Sequence, residues 1–264
     1  MVKKAYADTP SGQMHYYYGG PREKPPILFL HQNVSSAKAF DPTLQKLVDQ
    51  YNCVALDLPG FGGSFDPPSF DSISALTGYT MDFIDALGFE KFHLCGSHTG
   101  AGMSAEISSL HPDRVLSCIM IGALLFSAEQ TTQFKAEFGG SAAPSFETNY
   151  VKETWDYVYD IGGKLDLGNM HEEFTGALRN WRVRDMIFRC VWDYPVRNFL
   201  PKIECPTLLM CAPDDVLYPG HQNTAATMPQ AKAVEVKGMD MEPNLDPRGV
   251  SQGIKDFLSE NNLE

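Results

Sequence analysis

The sequence is poor in basic charge and has no long hydrophobic run, and each shortage excludes a class of protein. Its 264 residues carry 21 lysines and arginines against 33 aspartates and glutamates, a formal net charge of −12. Phosphate backbones and anionic headgroups demand a basic face, so nucleic acid and membrane are not expected partners. No apolar run approaches the roughly 20 residues that cross a bilayer. Met1-Val2-Lys3-Lys4-Ala5 has charge but no apolar stretch behind it, so a secretory signal is not expected. Tryptophan is scarce, and the six cysteines (53, 95, 118, 190, 205, 211) contain no C-x-x-C pair. Most fall inside apolar runs, which fits small buried hydrophobes in a reducing, cytoplasmic compartment. No spacing resembles H-E-x-x-H or another metal-ligand set, so neither metal nor cofactor is expected. What remains is an ordinary globular composition, 43% hydrophobic and 20% charged.

Short apolar runs alternate with helix-length periodic stretches. Residues 26–30, 53–56, 92–95 and 118–121 read as strands buried on both faces, and 38–50, 72–88 and 99–111 read as helices between them. The alternation predicts an α/β fold with a mostly parallel twisted sheet and helices on both faces. Residues 13–18 precede it as an antiparallel edge strand. The rhythm returns with strands at 206–211 and 233–236, then Asp246-Pro247 as N-cap and N1 of the last helix. Between 126 and 200 no strand is evident, and all three tryptophans (Trp155, Trp181, Trp192) lie there. The predicted division is a core of 1–125 with 201–264 and a helical cap, or lid, of 126–200. Such a cap would sit over the sheet's C-terminal edge, where open α/β sheets bind ligands.

Gly96-Ser97-His98-Thr99-Gly100 follows a predicted strand directly and opens a predicted helix. A G-x-nucleophile-x-G segment there is a strained turn that lifts its middle side chain above the sheet. Leu30-His31-Gln32-Asn33-Val34-Ser35-Ser36 and Asp57–Ser64 precede it, and His111–Val115, Ala212-Pro213-Asp214-Asp215 and Gly238–Pro243 follow it. Together these segments resemble the α/β-hydrolase-fold superfamily over nearly the whole chain: the oxyanion loop, the D-x-x-G-x-G-x-S segment, the turn after the elbow helix, the acid loop and the histidine loop.

The resemblance implies a hydrolase acting on a small molecule, but the sequence departs from the family at its centre. His98 stands at the nucleophile-elbow position and Asp240 at the usual catalytic-histidine position, while Gln32 replaces the usual oxyanion-loop glycine. Only Asp214 matches the family's acid, with Asp215 beside it. A Ser-His-Asp relay, which needs a hydroxyl beside an imidazole, does not assemble from these positions. His98 is the expected base or nucleophile, with Asp214 or Asp240 accepting its second N–H and one carboxylic acid staying protonated. The backbone N–H groups of Asn33 and Thr99 are the expected oxyanion hole. Ser97 as a nucleophile on a shifted elbow would waste Gly96 and Gly100.

Substrate contacts are expected from His31, Gln32, Ser97, Trp155, Trp181, Arg182 and Trp192. Duller readings stand beside these. The tryptophans make a core for the cap as readily as an apolar ceiling over an aromatic substrate. Five of the eight arginines fall in 179–197 and read first as a solvated face, with one of Arg179, Arg182 or Arg184 turned toward a substrate carboxylate as the sharper alternative. His15 and His93 read as structural, and His171 and His221 as exposed. The expected activity is hydrolysis of a small ester, lactone or C–C diketone-like compound. The alternatives are a lyase or isomerase on the same scaffold, or a degenerate hydrolase that only binds a ligand. The oligomeric state stays open, a homodimer included.

Overall fold

Ile27–Leu30, Cys53–Leu56 and Thr207–Cys211 are buried at every residue, which a strand can be only where both faces of its sheet are covered. The computed structural model describes residues 1–138, 143–162 and 165–264. In it these segments are β3, β4 and β7 of an eight-stranded sheet. The others are β1 (Lys3–Thr9), β2 (Gly12–Gly19), β5 (Phe92–Ser97), β6 (Val115–Ile121) and β8 (Lys232–Glu235). The order is β1-β2-β4-β3-β5-β6-β7-β8. Only the β1–β2 and β2–β4 pairs are antiparallel.

Successive side chains of a strand point to opposite faces, and the sheet divides the core accordingly. Leu28 and Leu30 of β3 join one apolar cluster with Leu94, Phe83 and Met120; Ile27 and Phe29 join a second with Cys95, Ile119 and Phe257. Each of these large side chains contributes about 1.5–3 kcal/mol on burial. The core helices are α1 (Asp41–Leu44), α2 (Ile73–Ala86), α3 (Thr99–Leu110), α8 (Tyr218–Thr227), α9 (Glu242–Leu245) and α10 (Pro247–Glu260). Asp246 caps α10 by accepting the Gly249 N–H at 3.0 Å. No helix among the described residues is long and apolar enough to cross a membrane.

Between β6 and β7 run α4 (Ala128–Phe138), α5 (Asn149–Gly162), α6 (Leu167–Arg179) and α7 (Trp181–Cys190), then three 3-10 turns ending at Lys202. Two elements differ from the sequence reading. The helix expected over 38–50 is a 3-10 turn, Ala37–Phe40, followed by the four-residue α1. Pro42 forces this break, because it lacks an N–H and fits only the first turn of a helix. Strand β1 carries no apolar run, since of its seven residues only Ala7 is buried, and it takes the edge expected of residues 13–18, leaving β2 paired on both sides.

Candidate active site

His98 occupies the turn between β5 and α3 with φ 48° and ψ −108°. A non-glycine residue there is strained by about 1–3 kcal/mol, and its neighbours explain why the strain persists. A Cβ on Gly96 would lie 2.0 Å from the Gly100 carbonyl oxygen, and one on Gly100 would lie 2.1 Å from that of Leu30. The two glycines therefore let α3 seat against the ends of β5 and β3. Gly122, just past β6, has φ 62°, and a Cβ there would lie 2.4 Å from His98 Cδ2. Its missing side chain is the space the imidazole fills. Val34 and Met239 also hold positive φ, at 48° and 51°, so three strained residues sit in the loops around one spot.

His98 Nε2 lies 2.9 Å from Asp215 Oδ2. Asp215 is 4% exposed; its Oδ1 accepts the Leu217 N–H at 2.6 Å and its Oδ2 the Cys211 S–H at 3.6 Å. The expectation for Asp214 is corrected here. Asp214 is exposed and accepts the Met239 N–H at 3.3 Å, because the turn after β7 points the first aspartate outward and the second inward. Asp240 is buried, and its Oδ1 accepts the Val216 N–H at 2.8 Å. It stands beside the pair: nitrogen and oxygen atoms of His98, Asp215 and Asp240 all lie within 4.8 Å of one another. Asp215, and not Asp240, makes the hydrogen bond to the imidazole. Among the described residues, these three groups and the similarly spaced Cys211, Asp215 and Glu242 are close enough together to reach a cation.

Burial disfavours the His98 imidazolium, but the charge and hydrogen bond of Asp215, with Asp240 adding its charge, outweigh it and raise the pKa. Burial likewise acts to raise Asp215, and His98 outweighs it, so Asp215 stays ionised. Asp240 is pushed up to about 7 by burial and then by the Asp215 charge. The site thus joins a carboxylate to an imidazole whose proton it holds more tightly than usual, beside a carboxyl that gains or loses its proton near neutrality.

A narrow cavity, part of it open to solvent, lies against this group. His98, Thr99, Gln32, Asn33 and Asp240 give it a polar floor; Leu124, Phe138, Tyr157, Phe188 and Trp192 are among its apolar walls. Trp192 stacks on Phe134 with ring centroids 5.1 Å apart. The other two tryptophans do not line it: Trp155 packs edge-on against Phe174, and Trp181 lies under the Arg182 guanidinium. Arg182 is exposed, so the expectation that it reaches substrate is corrected. The buried arginine of α7 is Arg184, 5% exposed, with its guanidinium 4.3 Å from the Tyr157 ring centroid. It makes no ion pair among the described residues, and its Nε has no hydrogen-bond partner.

Thr99 is the first residue of α3, where backbone N–H groups have no partner within the helix and the helix dipole favours negative charge. Asn33 donates through Nδ2 to the Arg184 carbonyl at 3.4 Å, while its Oδ1 is buried without a partner. Ser97 is buried and its hydroxyl donates to Gln32 Oε1 at 3.0 Å, so it stays behind the cavity floor. His31 also stands back: its Nδ1 donates to the Gln32 carbonyl and its Nε2 accepts the Leu58 N–H at 3.0 Å. Burial holds it below the ordinary histidine pKa and neutral. His15 pairs with buried Asp57 at 2.7 Å, and His93 with Ser117 at 2.8 Å. His221 is not exposed as expected; it is 5% exposed and stacks on Tyr218.

Residues 25–160 match the family model of the alpha/beta hydrolase fold, and the chain belongs to that family. It is 23% identical to carboxylesterase YbfK of Bacillus subtilis (strain 168) over 96% of this chain and 86% of that protein. It is 30% identical to haloalkane dehalogenase 2 of Mycobacterium tuberculosis over 66% of this chain. The chain spans less than two thirds of the length of several curated relatives it matches, 59% in the case of that dehalogenase. The enol-lactonase of Burkholderia xenovorans LB400 superposes with a TM-score of 0.82 at 16% identity, covering 97% of this chain and 100% of that one. At that identity the likeness shows the fold alone.

Proposed function

We propose that the chain is an enzyme acting on a small carbonyl compound (an ester, a lactone or a C–C diketone-like substrate) through His98 and Asp215 in place of Ser-His-Asp. One observation carries this reading. An ionisable imidazole stands on the strained elbow, faces the cavity, and has its far nitrogen held by a buried carboxylate. With Nε2 engaged by Asp215, Nδ1 is the nitrogen left for chemistry. In its neutral form it takes a proton from water as that water attacks the carbonyl carbon. The oxyanion that develops meets the Thr99 N–H and that of Asn33. Asp240, still protonated in part near neutrality, gives its proton to the leaving group.

The apolar walls support an aromatic or branched body for the substrate. Arg184 stands behind the Tyr157 and Phe188 walls without an ion pair among the described residues; since a buried guanidinium without an anion is costly, it supports a substrate carboxylate that reaches past those rings. On this reading helices α4–α7 form the cap of 126–200, and the unpaired cysteines fit a cytoplasmic setting. A non-hydrolytic lyase or isomerase is the second reading. It is favoured by the lack of a hydroxyl at the elbow beside a base and an acid that exchange protons near neutrality.

The test is turnover of a panel of small esters, lactones, β-diketones and enolisable ketones by the wild type and by His98→Ala. Hydrolysis that falls about a hundredfold or more in the variant supports the first reading. Isomerisation or elimination with the same loss selects the second. Turnover that survives His98→Ala unchanged removes His98 from the chemistry. Ligand binding without turnover would make the chain a binding protein.

A further inference from the structure

Glu242, at the start of α9, is 0% exposed. Its Oε1 accepts the Ala212 N–H at 3.1 Å, whereas its Oε2 is buried with no donor facing it. A carboxylate oxygen left so would cost several kcal/mol unless it carried a proton. Around it, oxygen or sulfur atoms of Glu242, Asp215 and Cys211 lie within 4.8 Å of one another. Asp240 precedes it by two residues and adds a further carboxyl. Charged groups on the packed elements are engaged elsewhere or exposed. Lys38 pairs with Glu172 at 3.7 Å, Asp41 accepts from Gln45, Asp246 caps α10, and Arg248 is exposed. Among the described residues no cation acts on Glu242 to balance a second buried carboxylate beside Asp215.

We propose that Glu242 stays neutral and donates its Oε2 proton to Asp215, so that Asp215 is clamped between a carboxylic acid on one side and the His98 imidazole on the other. This rests on the His98–Asp215 centre proposed above and makes Glu242 its positioning residue. Both burial and the Asp215 charge push the Glu242 carboxyl well above its ordinary range, in agreement with the geometry. Gly238 makes the approach possible. At φ 121°, a Cβ there would lie 2.9 Å from Glu242 Cα, so the loop folds close enough to bring α9 under the end of β7. The arrangement also limits how much negative charge faces the imidazole. An ionised Glu242 would hold His98 as imidazolium and leave it a poor base.

Infrared spectroscopy of the full-length protein at pH 9 tests this, since Asp240 is ionised there. The C=O stretch of a protonated carboxyl is expected in the wild type and in Asp240→Asn, and is expected to vanish in Glu242→Gln. The amide of that variant keeps one acceptor and one donor, so His98 should titrate within about 0.3 units of the wild type, as exchange of one neutral donor for another requires. Glu242→Met removes the donor and should lower kcat about tenfold with KM unchanged, the scale of losing a group that orients a reacting one. Glu242→Gln should recover that loss. Absence of the band at pH 9, or a His98 pKa lower by a unit or more in Glu242→Gln, would mean that Glu242 is charged and would overturn the proposal. If Glu242→Met does not fold, the band and the Glu242→Gln titration still decide. Neither readout depends on turnover, so failure of the proposed function would leave this result standing.

Discussion

Asp215 holds His98 through Oδ2 to Nε2 at 2.9 Å, while its neighbour Asp214 points to solvent. Two identical side chains one residue apart therefore point in opposite directions. Asp215→Asn is expected to lower turnover about a hundredfold or more, as loss of an oriented base requires, while Asp214→Asn should leave turnover within twofold. Steady-state kinetics of the two variants on any substrate found in the panel would show it. Equal losses would mean that the acid has been assigned to the wrong residue.

Asp240 should make stability depend on pH in a defined direction. Its folded pKa, about 7, lies above the ordinary carboxylate value. Its contribution is therefore fully present below pH 4 and is lost as pH rises through 7, because the folded state binds the proton more tightly. Unfolding by urea between pH 4 and 8 should show a fall in stability that Asp240→Asn flattens. A slope unchanged in the variant would show that another group carries it; Glu173, likewise pushed to about 7 by burial, is the first to examine.

Gly122 tests whether the imidazole needs its exact berth vacated by a side chain. Gly122→Ala would put a methyl 2.4 Å from His98 Cδ2 at φ 62°. It should cost about 1–3 kcal/mol in stability and displace the ring, lowering kcat more than KM is raised. A variant with wild-type kinetics would mean that the His98 ring position is unimportant.

Arg184→Met should weaken carboxylate-bearing ligands about tenfold or more and leave neutral analogues within twofold, since only a charge-assisted contact is removed. Competition assays with matched acid and amide ligands read the difference. Equal weakening of both would point to packing against Tyr157 as the arginine's whole role. Ser97 offers a simpler check: with its hydroxyl bound to Gln32, a fluorophosphonate probe should not label the protein.

The residues that were legible in the sequence are those whose local geometry admits few alternatives. Gly96 and Gly100 around His98 announced a strained strand-to-helix turn because no other residue fits so close to Leu30 and Gly100. The apolar runs of β3, β4 and β7 announced buried strands. Choices between near neighbours were not legible. Asp214 and Asp215 differ only in the direction of one turn. Arg182 and Arg184 are two positions apart on α7, about 200° around the helix, so the pattern of arginines alone does not tell which faces inward. Glu242 carried no signal, since a lone glutamate before a proline reads as a surface helix start. Its burial depends on Gly238, which draws α9 inward.

The central claim is that His98 is a proton-handling group governed by Asp215. NMR titration of the His98 imidazole in the wild type and in Asp215→Asn measures this without any known substrate. The account predicts a pKa above the ordinary 6.5 in the wild type and a fall of about a unit or more once the charge beside it is gone. A His98 pKa that does not move in Asp215→Asn would contradict it.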